Sequence, residues 1–370
     1  MNIILKKIIT DKTFLVTLVF AAFSITFGDV KLSDIDTKTI TSLAALILLI
    51  TIYQALNILK FVANYIVAKC DTIRSVILVL LLCSFLGSMF FTNDVAILTL
   101  VPIVFSIAQK INVPKILTIS LLTIYANLGS ALTPFGNPQN IYLVSHYQLG
   151  IGQFMMMSFP FGLVALLSMF VVLLVIKNQP IDDVTLPSIE INQHKTWLLL
   201  GATLIVLLGI LSVIPVYMAL IVSVLAAFCL QKSVFKYTDY GIILTFVNFF
   251  IIVGAIGRIK YVQTLLHQHT TSGLETFFSG ILSSQFISNV PAAILISKFT
   301  QHSYGLYLGV TVGGLGTLIA SLANLLALRQ YSVLSQNNNT FSFFKTFSLL
   351  NILLLLFFMI AGITLIYFRY

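Results

Sequence analysis

Apolar runs of about 20 residues, the length that crosses roughly 30 Å of hydrocarbon, recur along this chain from one end to the other. Strands of a membrane barrel would carry a polar residue at every second position, but residues 76–83 and 352–360 are apolar without interruption. The runs are therefore helices. Only 8% of the 370 residues are charged, against about 25% in a soluble domain, so water cannot be the main solvent. The sequence predicts an all-α polytopic membrane protein.

Membrane spans are expected at about 13–28, 39–58, 115–146, 152–176, 196–213, 215–231, 240–257, 304–328 and 343–368, about nine in all. Two further apolar segments, 75–109 and 276–299, are interrupted by Thr92-Asn93-Asp94 and Ser288-Asn289-Val290. Both read as re-entrant hairpins. With hairpins that return to their side of entry and a cytoplasmic N-terminus, 14 of the 20 Lys and Arg residues fall inside, as topology by positive charge requires. Lys69 and Arg74 before the first hairpin then share a side with Lys110 and Lys115 after it. The residues after Lys12 could imitate a signal peptide, but no small-residue cleavage pattern follows, which favours a retained span.

Three ordered matches point to two related halves. Residues 55–61 resemble 255–261, Thr92-Asn93 resembles Ser288-Asn289, and residues 128–137 resemble 315–324. The expected organisation is an N-terminal span at 1–35, a first repeat at 36–176, a connecting loop at 177–195 with Asp182, Asp183 and Glu190, a second repeat at 196–342 and a C-terminal span at 343–370. The polar stretch at 336–340, with Asn337, Asn338 and Asn339, reads as a solvent loop. In this topology the two repeats are inverted, each with a re-entrant hairpin and a discontinuous helix, a design that suits alternating access.

Polar groups inside apolar sequence must find partners or a ligand. Asn93 and Asn289 occupy equivalent points at the two tips, as a two-fold site requires. Asp94 is the only acidic residue placed well within the membrane, where it could carry a proton, bind Na⁺ or cap the next helix. In residues 127–140, Pro134 and Pro138 argue against a continuous helix, Thr133, Asn137 and Asn140 offer oxygens, and Gly136 lets backbone approach a ligand. A Na⁺ site at Asn93, Asp94 and Asn137 is expected from these. The matching stretch of the second half lacks the prolines, so Thr317, Ser321 and Asn324 read as site residues against a background of close glycine packing.

Other chemistries find little support. The basic residues are scattered, not clustered with aromatics, so no nucleic-acid partner is expected. Cys70, Cys83 and Cys229 lack ligand spacing. His146, His194, His267, His269 and His302 fall at loops or span ends, and Trp197 suits an interfacial belt. No nucleophile-base pair or phosphate-binding loop is present, which disfavours a membrane-embedded enzyme and ATP hydrolysis by this chain.

At Phe91-Thr92-Asn93-Asp94-Val95-Ala96, Gly136-Asn137-Pro138-Gln139-Asn140 and Ser288-Asn289-Val290-Pro291-Ala292-Ala293, the chain resembles the ion transporter superfamily of citrate transporters, divalent anion/sodium symporters, arsenite permeases and related Na⁺/H⁺ antiporters. The resemblance implies a moving transport domain, a homodimer, and ion or substrate contacts at Thr92, Asn93, Ser288 and Asn289. Dicarboxylate symporters carry Ser-Asn-Thr at both tips, whereas Asp94 is closer to the permease and antiporter branches. The expected function is a secondary carrier of a small anion in the plasma (inner) membrane, with Na⁺ or H⁺ as coupling ion and no other cofactor. The alternative is Na⁺/H⁺ exchange or arsenite-type efflux.

Overall fold

The computed structural model describes residues 3–181, 189–336 and 339–369. Asp182, Asp183, Asn337 and Asn338 lie outside the described residues. Apart from one three-residue 3-10 turn, the described elements are α-helices, the form in which a chain in lipid satisfies its own backbone. The first are α1 (Ile3–Thr10), α2 (Lys12–Phe27), α3 (Thr37–Ala55) and α4 (Ile58–Val67). A hairpin of α5 (Ile73–Phe91) and α6 (Asn93–Ala108) follows, then α7 (Lys115–Ser130), a break, α8 (Pro138–His146) and α9 (Ile151–Val175). Next come α10 (Gln193–Ile210), α11 (Val216–Leu230) and the single turn α12 (Val234–Tyr237). The chain continues with α13 (Tyr240–Ile256), α14 (Lys260–Gln268), a hairpin of α15 (Gly273–Ile287) and α16 (Asn289–Ile296), α17 (Ser303–Gly313), a second break, α18 (Leu322–Leu334) and α19 (Thr340–Arg369).

The series α3 to α9 and α13 to α19 match element for element. Packing between them is crossed: α2 lies on α13 while α11 lies on α3, and α6 lies on α18 while α16 lies on α8. The interior is mainly apolar, with buried serines, threonines and asparagines among it, and large apolar side chains such as Phe20 and Phe23 of α2 and Phe159 and Val171 of α9 also face outward. An apolar exterior is what lipid as solvent permits. Within the second hairpin region, Gly305, Gly309 and Gly313 recur every fourth residue along α17 and bring it against the backbone and Ser284 of α15.

The expected spans are not each a single long helix. Among the described residues, five helices (α3, α5, α9, α10 and α19) are long and apolar enough to cross alone, and a sixth crossing would need α13 and α14 together, which bend by 91°. Residues 115–146 and 304–328 are each two half-helices, and α2 and α11 have 16 and 15 residues. Helices α4 and α14 fill stretches expected to be loops, because their one-sided apolar spacing is too short to stand out in sequence. The match between residues 55–61 and 255–261 falls on the bend that precedes each of them.

Asp34, in the turn between α2 and α3, pairs with Arg258 just after α13, at 2.6 and 2.9 Å through both carboxylate oxygens. Its side chain is 7% exposed. Burial raises its pKa, but the hydrogen bond from Arg258, the Lys31 amide and the nearby Lys298 outweigh this and hold it below the ordinary 3.8. A depressed carboxylate stabilises above its unfolded pKa and loses that stabilisation as pH falls through the folded value. Asp34→Asn is therefore expected to lower the melting temperature in detergent at pH 7, by about 1.5–3 kcal/mol of stability. The gap to wild type should close below about pH 4; a gap independent of pH would refute the ion-pair account.

Candidate functional site

Each hairpin turns on one hydroxyl residue held in the left-handed half of backbone space: Thr92 at φ 70, ψ 155 and Ser288 at φ 71, ψ 154. Non-glycine residues rarely adopt such angles unless the surroundings impose them. The second arm then begins with an asparagine, Asn93 or Asn289, both buried. The polar tripeptides are thus not unwound throughout: the turn is one residue, and Asn93-Asp94 already belongs to α6.

The two breaks share a hydrogen-bond plan. Asn140 Nδ2 donates to the carbonyls of Ala131 and Thr133 at 3.0 and 2.9 Å. Asn324, 184 residues on, donates to those of Gly314 and Thr317 at 3.0 and 3.1 Å, so the breaks correspond with Asn140 opposite Asn324 and Asn137 opposite Ser321, and not in the register that paired residues 128–137 with 315–324. Asn137 and Ser321 cap α8 and α18 by accepting from the amides of Asn140 and Ala323, as side-chain oxygens at N-caps do. Thr133 donates to the carbonyl of Met89 in the first hairpin, and Thr317 to that of Gln285 in the second. Pro138 opens α8, where its missing amide donor costs nothing. Gly136 serves the backbone itself, since a side chain there would strike the Ser130 carbonyl and Thr133.

The second break forms without proline because Gly316 takes φ 97 and Gln285 supplies what the backbone lacks. The side-chain amide nitrogen of Gln285, Nε2, donates to the carbonyls of Gly313 and Leu315, and its Oε1 accepts from the Thr317 amide. Sequence reasoning did not single out Gln285.

It also passed over the residue at the centre. Asn127 of α7 accepts at Oδ1 from Asn93 Nδ2 at 2.8 Å and from Ser321 Oγ at 3.2 Å, and its Nδ2 donates to Asn324 Oδ1 at 2.9 Å. One side chain thus ties the first hairpin tip to the second break. Asn127 heads the motif at 127–140, yet nothing in its own neighbourhood reveals partners 34 and 197 residues away. At the other tip, the Asn289 amide donates to the Ala320 carbonyl at 2.9 Å.

Asp94 points elsewhere. With Asp11, Asp239, Thr13, Thr245 and Arg329 it lines a cavity of about 160 Å³ between α2, α6, α13 and α18. Among the described residues its carboxylate makes no hydrogen bond or ion pair, so it caps nothing; the Asp94 amide is taken by Asn93 Oδ1. Asp239 is held at 3.6 Å by Lys7. Asn93 binds Asn127 and Asn137 binds Ser130 one turn further along α7, where Ser130 Oγ donates to the Asn127 carbonyl, while Asp94 faces the cavity.

Residues 1–305 match the family model of citrate transporters. The chain is 32% identical to an uncharacterized transporter, MJ0456 of Methanocaldococcus jannaschii, over 80% of its own length and 81% of that protein's. It is 30% identical to the inner membrane protein YbiR of Escherichia coli, over 80% of each chain. In fold it resembles the YdaH transporter of Alcanivorax borkumensis, with a TM-score of 0.54 at 12% identity, over 90% of this chain and 86% of that one. The paired hairpins and broken helices are thus those of a membrane transporter and not of an enzyme, and the chain belongs to the citrate transporter family.

Proposed function

We propose that this transporter is a secondary carrier that moves a small anion, a carboxylate or oxyanion, by alternating access coupled to Na⁺ or H⁺ at Asp94. The observation that carries the reading is the meeting of half-helix N-termini in the core. Those of α6 and α18 are joined through Asn93, Asn127 and Asn324, and α16 begins against the second break through Asn289 and Ala320. Helix N-termini carry free amides and partial positive charge, which favour an anion without any basic side chain. Thr92, Asn93, Ser288 and Asn289 would contact the substrate.

A second reading, exchange of Na⁺ for H⁺ or arsenite-type efflux, is favoured by one observation: Asp94 shares its cavity with two more carboxylates, Asp11 and Asp239, against one guanidinium, Arg329, an excess of negative charge suited to a cation. Two repeats of inverted orientation, a homodimer, and the plasma (inner) membrane with a cytoplasmic N-terminus complete the proposal. The crossed packing of the two helix series supports the inverted repeats.

The deciding experiment is uptake into proteoliposomes, with Na⁺ and pH gradients imposed separately over a panel of carboxylates, oxyanions and arsenite. Anion accumulation driven by either gradient supports the carrier. Exchange of Na⁺ for H⁺ with no anion present would replace it with the second reading. The hairpin topology has its own check in cysteines at Arg74 and Lys110, which should both label from the same face; labelling from opposite faces would make α5 and α6 together one spanning segment and would sink the inverted repeat.

A further inference from the structure

The chain of amides from Asn93 through Asn127 to Asn324 has a positional counterpart in the other half. Asn289 matches Asn93 at the tips, Asn140 matches Asn324 after the breaks, and Thr311 stands on α17 where Asn127 stands on α7. The counterpart is not bonded in the same way. Asn140 is fully buried and Thr311 is 3% exposed, yet Asn140 Oδ1 and Thr311 Oγ1 have no hydrogen-bond partner among the described residues.

These two atoms belong to one locality. Tyr307, four residues before Thr311 and so on the same face of α17, donates its hydroxyl to the Ala131 carbonyl at 3.0 Å. That carbonyl also accepts from Asn140 Nδ2, at 3.0 Å. The Thr311 face of α17 therefore lies over the first break, beside Asn140.

In the bonded chain of amides, Asn324 Oδ1 of the second half receives the positive edge of an amide, Asn127 Nδ2 of the first. Threonine is shorter and has no NH₂ group to offer. Thr311 makes no hydrogen bond to Asn140 Oδ1, which among the described residues is left without a donor next to a stretch of unwound backbone carbonyls of the kind that coordinates Na⁺ in broken transporter helices. No carboxylate is among these residues, so a site here has a field suited to one positive charge and not two.

We infer that Asn140 Oδ1 and Thr311 Oγ1 are ligands of a monovalent-cation site of Na⁺ size where α17 crosses the first break. The ion takes the role that the Asn127 amide plays in the other half. The inference rests on the coupled-carrier reading and assigns Na⁺ a place separate from Asp94.

The test is thermal unfolding of the purified full-length protein in detergent as NaCl replaces choline chloride at constant ionic strength, with KCl in parallel. Wild type should gain melting temperature with Na⁺ until the site saturates. Thr311→Asn, which copies Asn127, should be at least as stable without Na⁺ and should need about tenfold more Na⁺ for the same shift, the effect of losing one ligand interaction. Thr311→Val keeps the shape, loses the oxygen, and should show the weakened response with no gain in basal stability. Equal shifts in Na⁺, K⁺ and choline would mean that a water bridges the two oxygens and would overturn the inference. So would a Thr311→Asn protein that titrates with Na⁺ as wild type does. The carrier reading is judged separately: uptake driven by a pH gradient would uphold it where Na⁺ fails to stabilise, and a selective Na⁺ shift would uphold the site where no anion moves.

Discussion

In proteoliposomes, Asp94→Asn is expected to bind substrate and let it equilibrate but not accumulate it. A tenfold inward gradient of the coupling ion stores about 1.4 kcal/mol and can sustain about a tenfold substrate gradient at one ion per substrate. The variant should bring that ratio down to about one. The reasoning is local: the carboxylate is set at the start of α6, faces a cavity, and has no hydrogen-bond or ion-pair partner among the described residues. Asparagine keeps the size and removes the charge and the titratable proton. Undiminished accumulation in Asp94→Asn would remove Asp94 from coupling and move attention to Asp11 and Asp239.

The largest effect on stability is expected at Asn127. Truncation to alanine would leave Asn93 Nδ2, Ser321 Oγ and Asn324 Oδ1 without their partner in a buried setting. Single hydrogen bonds between membrane helices average about 0.6 kcal/mol, but stranding buried groups costs about 1–3 kcal/mol each. Asn127→Ala should therefore lose roughly 3–6 kcal/mol, visible as a drop in melting temperature and in yield of monodisperse protein. Asn127→Asp keeps the acceptor and loses the donor to Asn324, so it should fall between the two. A variant as stable as wild type would show that the three groups find other partners when Asn127 is gone.

What could be read in the sequence was whatever interrupts a long apolar run. Thr92-Asn93-Asp94, Ser288-Asn289 and Pro134 to Pro138 stand out because lipid tolerates so little polarity, and the structure puts turns or breaks at all three. Thr133, Asn137, Asn140, Thr317, Ser321 and Asn324 likewise sit in the breaks they were read into, though as caps and bridges of the backbone. Asn127 and Thr311 could not be read, since each owes its role to residues that only the crossing of the two halves brings near, and Gln285 could not because its partners lie about 30 residues further along its own half. A lone glutamine or threonine in a helix carries no mark of the partner it meets or lacks. Helices α4 and α14 escaped for another reason: with 10 and 9 residues they are too short for periodicity to separate them from loops.

Those short helices have a mechanical consequence. In sequence, α14 is the one helix between α13 and the second hairpin, and it leaves α13 at 91°; α4 holds the same place before the first hairpin, after a turn at Asn57 with φ 54. A 9-residue helix is an arm about 13 Å long at 1.5 Å per residue. Pivoting it by about 30° would carry its far end through about 7 Å, roughly a quarter of the hydrocarbon thickness. Each hairpin thus follows a short arm that leaves α3 or α13 at a turn, and a modest rotation at residues 256–259 would relocate a tip without unfolding either arm of its hairpin.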